Sequence, residues 1–495
     1  MALPFTLDPA SPEPLYLQLR AALERSVRAG VFPGGRLPSS RELAAGLGVS
    51  RNTVNLAYQE LAADGIVIAR PRSGYVVNPG ARITPAAEPD TRPGTGPDAG
   101  SARPVWLERL VAPAARDELP HIRKPADWDR YPHPFVTGHL PPEAFPGRAW
   151  ARCLREALAG EHRRHSLQDG IDADDPLLAE LICTQILPGR GIHAAPERVL
   201  VTLGSQQALH LLAAALVRPG TPVAVEDPGY PDARHILARA GAALRPAPVD
   251  DAGLVVGPAL AGAELVLTTP AHQYPTNVTL SGARRQRLVA LARARDMVVV
   301  EDDYDGELRY TGRASPALAS LDRDTVVYLG SFSKFLAPGL RLGFVTGPPG
   351  LIEALRDLRR YSIRHPPGHL QRALALLIAS GDYRRGVRQV RRALRTRWEG
   401  TARAVAAHLP GWHVQPRAGG VSLWLTGPAG LDTRELAARL APRGVLIEPG
   451  DTFFLGPGRP RNHIKLGFGA LDPARIDQGV ALIAAEARRL GVTPR

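Results

Sequence analysis

The segment VVYLGSFSK at residues 326–334 is an apolar run that ends in small hydroxyl residues and a lysine. The run predicts a buried strand, and a neutral lysine amine at its end can form a Schiff base with an aldehyde. Ser331 and Ser333 can donate hydrogen bonds to phosphate oxygens, and Arg341 adds a charge-assisted contact. The segment therefore predicts that Lys334 binds a phosphorylated aldehyde.

A second strand-like segment, MVVVEDDY at residues 297–304, ends in acids and a tyrosine. Acids at the C-terminal end of a strand lie where α/β folds place ligand contacts. One of these carboxylates can pair with a protonated pyridine nitrogen, and Tyr304 can hydrogen-bond a phenolic oxygen. The two segments therefore suit the same ligand.

Two further strands precede residues that fit this ligand. The strand at residues 199–203 is followed by GSQQ, which begins a helix whose free N–H groups can bind phosphate. The segment EDPGYP at residues 226–231 places Tyr230 where its ring can stack on a cofactor. Short strands alternate with amphipathic helices from about residue 131 onward, and this pattern predicts an α/β domain.

The N-terminal residues have the pattern of a small DNA-binding unit. Apolar residues at four-residue steps predict a first helix, and SSRE at 39–42 has the spacing of a capping box that begins a second. A glycine-containing turn and Ser50 lead into a third helix, and residues 66–77 read as a hairpin. This order predicts a winged helix-turn-helix, mostly α with a β wing.

The third helix is the expected recognition helix, with its N-terminal residues on base edges in the major groove. Arginine can contact guanine and asparagine can contact adenine in bidentate fashion, and further arginines can hold phosphates. The candidate base contacts are Arg51, Asn52, Thr53 and Asn55, and the candidate phosphate contacts are Arg41, Arg70 and Arg72.

The length of 495 residues indicates two or more domains. Residues 79–104 are rich in proline, glycine, alanine and aspartate, which is a linker composition. We therefore predict a DNA-binding domain at residues 12–78, a linker at 79–128 and a large domain at 129–495.

The net charge of +13 suggests a polyanionic partner, but the excess lies away from the predicted DNA-binding unit. Residues 1–80 contain eight arginines and six acids, whereas residues 356–403 contain thirteen arginines and three acids. The DNA-binding prediction therefore rests on the motif. The arginine-rich stretch at 384–397 is either a second DNA-facing surface or a solvated helix.

Lysine is rare in this chain. Of 61 basic residues only Lys124, Lys334 and Lys465 are lysines, so 58 are arginines. Arginine stays protonated and cannot act as a nucleophilic amine, so a retained lysine is a candidate for chemistry. This observation supports the assignment of Lys334.

Membrane segments and disulfides are not expected. No apolar run approaches the ~20 residues of a bilayer span, and residues 1–14 lack the pattern of a signal peptide. The two cysteines, Cys153 and Cys183, read as buried free thiols and not as a metal site. We therefore expect a cytoplasmic protein.

The N-terminal stretch closely resembles the GntR-type winged helix over about 65 residues. The runs LPSSRELA at 37–44 and SRNTV at 50–54 carry the likeness. The resemblance implies DNA contacts at Arg41, Arg51, Thr53 and the wing tip near Gly74, with Ser50 among them.

The large domain resembles the fold-type-I aminotransferases. With a GntR-type head, the chain is similar to the MocR/GabR regulators, on the motifs EDPGYP, HQYPT at 272–276, EDDYD at 301–305 and SFSK at 331–334. The resemblance implies a large α/β PLP-dependent transferase fold with a smaller α+β C-terminal lobe, a homodimer and pyridoxal 5'-phosphate (PLP). It implies that Lys334 forms the aldimine and that Asp302 pairs with the pyridine nitrogen. Tyr304 would donate a hydrogen bond to the ring oxygen, and Tyr230 would stack on the ring. The phosphate would be held by Gly204, Ser205, Gln206, Ser331, Ser333 and Arg341.

Three positions depart from these families. Gln273 and Tyr274 stand in place of the aminotransferase asparagine, and SLQD at 166–169 lacks the tyrosine of a Tyr-x-Asp-Pro segment. Relatives carry arginine before Leu-Gly-Phe to bind a substrate carboxylate, whereas this chain has Lys465. Lysine still binds a carboxylate as a point charge, so Lys465 is the candidate effector-binding residue.

Three functions are compatible with these patterns. The first is a PLP-dependent DNA-binding transcription regulator that senses PLP, a small amine or an amino acid, with any transaminase activity residual. The second is an active aminotransferase with an appended DNA-binding head. The third is a DNA-binding module whose large domain is only a dimerisation scaffold. The operator, the effector and the direction of regulation stay open.

Overall fold

The computed structural model describes residues 6–9, 11–70, 74–80, 119–122, 124–310, 312, 315–334, 336–415 and 419–491. The chain separates into two compact units, residues 1–110 and residues 111–495. Within the described residues, no helix has the length and apolar character that a membrane crossing requires.

The first unit is a winged helix-turn-helix. Its helices are α1 (Leu15–Arg28), α2 (Ser40–Leu47) and α3 (Arg51–Ala63), and strands β1 (Val67–Arg70) and β2 (Gly74–Val77) pair antiparallel as the wing. The helices close on a small core, because Leu19, Leu23, Val54, Tyr58 and Leu61 are buried.

The sequence signals at the helix ends are confirmed. The Ser39 side chain accepts from the N–H of Glu42, and the Glu42 carboxylate accepts from the N–H of Ser39, which is the predicted capping box. Helix α2 extends to Leu47, and Gly48 caps its end in the left-handed conformation, which fits the predicted glycine-containing turn. Ser50 then caps α3.

The second unit is a mixed α/β domain. Its helices are α4 (Gly147–Ala157), α5 (Arg164–Leu167), α6 (Pro176–Leu181), α7 (Gly204–Leu216), α8 (Pro231–Arg239), α9 (Gly282–Ala294), α10 (Pro349–Arg360), α11 (Gly368–Ala379), α12 (Asp382–His408), α13 (Thr433–Leu440) and α14 (Ile476–Arg489). Its strands are β3 (His133–Pro134), β4 (Val199–Thr202), β5 (Pro222–Asp227), β6 (Ala243–Asp250), β7 (Gly253–Leu254), β8 (Leu265–Thr268), β9 (Val298–Asp303), β10 (Val326–Ser331), β11 (Gly343–Thr346), β12 (His413–Val414), β13 (Ser422–Thr426), β14 (Val445–Leu446), β15 (Glu448–Pro449) and β16 (His463–Gly467).

The large sheet has eight strands in the order β4-β11-β10-β9-β8-β5-β6-β7. Strands β10, β9, β8, β5 and β6 are parallel, whereas β11 runs antiparallel to both of its neighbours. Strands β4, β8 and β10 are fully buried, which explains their continuous apolar runs. The carboxyl ends of the parallel strands lie at one edge of the sheet.

A smaller C-terminal lobe completes the unit. Its antiparallel sheet has the order β12-β13-β16-β15, and α12 packs against α14 beside it. The predicted fold class, an α/β transferase fold with a smaller α+β lobe, is therefore confirmed.

Candidate functional site

A cavity of about 330 Å³ opens at the carboxyl edge of the large sheet. This volume is in the range of small-molecule sites. The residues that line it come from strand ends, helix starts, loops and the segments on both sides of β3: Ile122, Lys124, Thr137, Gly138, Ser205, Tyr230, Asp232, Thr269, Tyr274, Asp302, Tyr304, Lys334 and Val421.

Lys334 lies on the cavity wall three residues after β10. Burial lowers the pKa of its amine below the ordinary lysine value, and the positive charge of Lys124 lowers it further. Both effects favour the neutral amine that nucleophilic attack requires. The structure thus places the predicted lysine in a setting that suits its predicted chemistry.

Asp302 is the last residue but one of the strand β9 and lines the same cavity. Its Oδ1 atom is buried and has no hydrogen-bond partner among the described residues. Burial first, and the neighbouring Asp303 second, raise the pKa of Asp302 to about 7. A buried carboxylate without a partner is costly unless a cationic group pairs with it. A protonated pyridine nitrogen is such a group, so the site fits PLP.

Three tyrosines form an aromatic wall. The Tyr274 ring contacts Tyr230 and Tyr304 edge-on, with centroids 5.1 Å and 5.8 Å apart. The Tyr230 hydroxyl donates to Asp232 at 3.1 Å. Burial raises the pKa of the Tyr304 hydroxyl well above its ordinary value, so this group stays a hydrogen-bond donor. The wall offers ring faces and hydroxyls to an aromatic ligand.

The predicted phosphate-binding residues are only partly gathered. Ser205 lines the cavity, and the guanidinium of Arg341 packs on Gly204, where an added Cβ would lie 3.2 Å from Nη2. The buried Oγ of Ser333 has no partner among the described residues, so it is free to donate.

Two other predicted residues have different contacts. Gln206 donates to Asp232 at 2.9 Å, and Ser331 accepts from the N–H of Ser333 at 3.2 Å. Ser331 also borders a separate cavity of about 20 Å³. Neither Gln206 nor Ser331 is among the residues that line the main cavity.

The predicted DNA contacts lie on the surface of the first unit. Arg41, Arg51, Asn52 and Arg70 are exposed, and Asn55 is half-buried. The Ser50 and Thr53 hydroxyls are 2.9 Å apart at the start of α3. Gly74 is exposed at the start of β2 with a φ of 79°, and Arg72 lies outside the described residues.

Comparisons with known proteins agree with this geometry. Residues 15–77 match the family of bacterial regulatory proteins of the gntR family, and residues 148–483 match aminotransferase class I and II. The HTH-type transcriptional regulator TauR of Rhodobacter capsulatus is 43% identical over 99% of this chain and 100% of its own length. The probable rhizopine catabolism regulatory protein MocR of Rhizobium meliloti is 32% identical over 96% and 94%.

This chain is a MocR/GabR-type transcription regulator. Solved structures match its second unit. Kynurenine aminotransferase of Pyrococcus horikoshii has a TM-score of 0.71 and 26% identity, and LysN, the α-aminoadipate aminotransferase of Thermus thermophilus, has 0.70 and 28%. Each match covers 78% of the regulator and 98% of the solved chain.

The regulator's Lys465 lies behind the cavity wall. Its side chain is buried, with Nζ 3.6 Å from the centroid of the Tyr274 ring and 3.9 Å from Glu448 Oε2. Burial lowers the pKa of Lys465 to about 7. Lys465 is not among the residues that line the cavity, and its role in effector binding stays a prediction.

Sequence reasoning missed several residues of the site. Lys124 stands in a stretch assigned to the linker, yet its side chain lines the cavity. Thr137, Gly138 and Asp232, which lie in the predicted large domain, also line the cavity, and no motif marked them. The only available signal was the rarity of lysine, which singled out Lys124 without placing it.

Proposed function

We propose that this transcription regulator binds PLP at Lys334 and senses PLP, a small amine or an amino acid in the surrounding cavity. Its winged helix would bind an operator in duplex DNA, with two heads of a homodimer on two half-sites. The observation that carries the proposal is that Lys334 and the unpartnered carboxylate of Asp302 share one cavity.

The Asp302 carboxylate argues against a large domain that is only a scaffold. A buried carboxylate without a partner destabilises the folded protein, and its replacement by an uncharged group would cost a scaffold nothing. The carboxylate gains a hydrogen-bonded partner for its buried Oδ1 if a cationic donor enters the cavity. The pyridine nitrogen of PLP becomes that cation when it is protonated.

The other wall residues would orient the cofactor. When bound, PLP supplies an aldehyde that condenses with amines and a ring that accepts electrons. Tyr304 would donate to the ring oxygen, and Tyr230 would lie against the ring face. Asp302 would hold the proton on the ring nitrogen. The LysN structure, solved with a phosphopyridoxyl-leucine compound, supports a fold that accepts such a ligand.

The phosphate would lie at the start of α7. The first N–H groups of this helix have no side-chain cap and could bind an anion, and Gly204 leaves room for the Arg341 guanidinium beside them. Arg341 and Ser333 would add donors, and Gln206 and Ser331 complete the set that the family resemblance implies. Gln206 and Ser331 would have to exchange their present partners for phosphate oxygens.

Comparisons favour the regulator over the active aminotransferase. The curated relatives that match along nearly the whole chain are HTH-type regulators, and they share both domains. A regulator needs a ligand that binds two arrangements of the protein with different affinity. The cavity at Lys334 would be the place where that difference arises.

The proposal is tested by fixing PLP on the protein. The full-length chain is incubated with PLP, reduced with borohydride, digested and analysed by mass spectrometry. Because the chain has only three lysines, the position of a phosphopyridoxyl group is unambiguous. We expect the group on Lys334, a visible absorption band before reduction, and loss of both in Lys334→Ala.

The matched control is Lys124→Gln, which removes another lysine of the same cavity. It should retain the adduct on Lys334. A protein that stays colourless with excess PLP, or an adduct on a different lysine, would contradict the proposal.

A further inference from the structure

Helix α3 exposes one large apolar side chain on the face that points away from its own core. Leu56 is 39% exposed, whereas Val54, Ala57, Tyr58 and Leu61 of the same helix are buried. At about 100° per residue, Leu56 lies roughly 150° around the helix axis from the centre of that buried face. Leu56 therefore does not belong to the core that holds the winged helix together.

The neighbours of Leu56 on this face are side chains of the type that contacts base edges. Asn52 lies one turn before Leu56 and is exposed, and Asn55, directly before it, is half-buried. Side chains four residues apart on a helix have Cβ atoms ~5–6 Å apart, and neighbouring base pairs are spaced by about 3.4 Å. A base pair in contact with Asn52 therefore has neighbours within reach of Leu56.

Free positive charge lies at the starts of α2 and α3. Arg41 and Arg51 are exposed, and neither makes an ion pair within the described part of the chain. In contrast, Arg20 of α1 pairs with Asp64. The only acid of α3 is Glu60, near the C-terminal end of the helix. The charges at the start of the recognition helix therefore suit the phosphates that border a major groove.

The major groove offers one apolar group to a side chain such as leucine. This group is the C5-methyl of thymine, and every other base edge there presents hydrogen-bond donors or acceptors. Leucine has no polar atom with which to contact those edges. A leucine on the outward face of a recognition helix therefore distinguishes bases by covering the thymine methyl group.

We propose that Leu56 is a specificity-determining residue of the winged helix, and that it contacts the methyl group of a thymine beside the base pair that Asn52 contacts. The inference rests on the proposed function in one respect, namely that the winged helix binds an operator in duplex DNA. Leu56 lies outside the set of DNA contacts that the family resemblance implies.

The first experiment identifies the bases that the protein selects. Full-length wild type and Leu56→Gln are each used to select duplexes from a library of random sequence. The wild type should select a thymine at one position of each half-site. Leu56→Gln should lose that preference, because an amide has no apolar surface for the methyl group and hydrogen-bonds adenine instead. The preferences at the other positions should stay the same.

The second experiment removes the methyl group alone. Each thymine of the selected duplex is replaced in turn by uracil, which keeps the hydrogen-bonding atoms of thymine and lacks its methyl group. Fluorescence anisotropy at one fixed salt concentration gives the Kd of each duplex. Wild type should bind about fourfold more weakly when the contacted thymine is replaced, which is the effect of one buried methyl-sized group. Leu56→Ala should bind the thymine and uracil duplexes equally.

The matched control is Ile68→Ala, which shortens the other exposed large aliphatic side chain among the described residues of the first unit. Ile68→Ala should keep the fourfold difference between the thymine and uracil duplexes. Alanine has the highest helix propensity, so Leu56→Ala should fold, and melting curves of each variant check this.

Three results would overturn the inference. The first is a wild-type Kd that no uracil replacement changes. The second is the same fourfold loss in Leu56→Ala as in wild type. The third is an equal loss of affinity for all sequences in Leu56→Ala with a steeper dependence on protein concentration, which would place Leu56 against a second copy of the chain.

The inference and the proposed function can fail separately. Sequence-selective binding without any effect of uracil would leave the proposed function in place and remove the role of Leu56. Failure of the wild type to select any sequence would contradict both.

Discussion

At the scale of single residues, Asp302 shows how a ligand site conflicts with stability. Its carboxylate is buried, one oxygen lacks a partner, and its pKa is raised to about 7 from an ordinary value near 3.8. At pH values between these two pKa values, the Asp302 carboxyl keeps its proton in the folded protein and has lost it in the unfolded chain. The folded state therefore loses stability as pH rises from about 4 to about 7.

Asp302→Asn should stabilise the PLP-free protein at high pH. Its melting temperature should match the wild type near pH 4.5 and exceed it by a few degrees at pH 8, because asparagine has no charge to bury. The full shift corresponds to at most about 4 kcal/mol. Calorimetric melts at both pH values measure this, with the exposed Asp357→Asn as the control.

The same variant should bind PLP more weakly, because asparagine cannot balance a protonated ring nitrogen. Two results would contradict this account of Asp302. One is an unchanged PLP affinity of the variant. The other is a difference in melting temperature between variant and wild type that becomes less favourable to the variant from pH 4.5 to pH 8.

Residues that follow a strand were predictable, and residues brought in by tertiary structure were not. Lys334, Asp302 and Tyr230 stand at or just beyond strand ends, where α/β sheets place their ligands. Lys124 reaches the cavity from a stretch that we assigned to the linker. The position of this stretch depends on contacts with distant residues, such as the one between the Pro120 carbonyl and His235.

At the scale of elements, local signals in the winged helix are strong. The spacing of Ser39 and Glu42 predicted the capping box, because both hydrogen bonds are made within four residues of sequence. The antiparallel β11 within the large sheet had no comparable signal, since an apolar run does not reveal strand direction. Elements were therefore predictable where their cause is local.

Ser39→Ala should loosen the start of α2. Loss of an N-cap side chain costs about 1 kcal/mol, so amide exchange in residues 40–47 should become roughly fivefold faster. Hydrogen exchange followed by mass spectrometry on the full-length chain measures the rates. Ser40→Ala, one residue inside the helix, is the matched control and should leave them unchanged. Equal rates in wild type and Ser39→Ala would show that the cap contributes nothing.

At the scale of the whole molecule, α12 carries a large share of the positive charge, with eight arginines and two acids. Several of its arginines have partners within the second unit: Arg385 pairs with Asp382, Arg395 with Glu399 and Arg397 with Glu143. Arg391 donates to the Glu307 carbonyl at 2.6 Å. These contacts favour a structural helix over a second DNA-facing surface.

Replacing Arg388 and Arg395 by glutamine should therefore leave the salt dependence of DNA affinity unchanged. Each lost phosphate contact would lower the slope of log K against log salt by about 0.9. Fluorescence anisotropy with a DNA fragment at several salt concentrations gives this slope. Arg41→Gln, in the winged helix, should lower it by about one contact. A reduced slope in the α12 variant would assign that helix to DNA.

The central claim is that chemistry at Lys334 changes how the winged helix binds DNA. Footprinting on the DNA upstream of the regulator's own gene, with and without PLP, tests it directly. Wild type and Lys334→Ala should both protect this DNA, and PLP should alter the protection in the wild type alone. Protection that PLP leaves unchanged in the wild type, or alters equally in Lys334→Ala, would contradict the account.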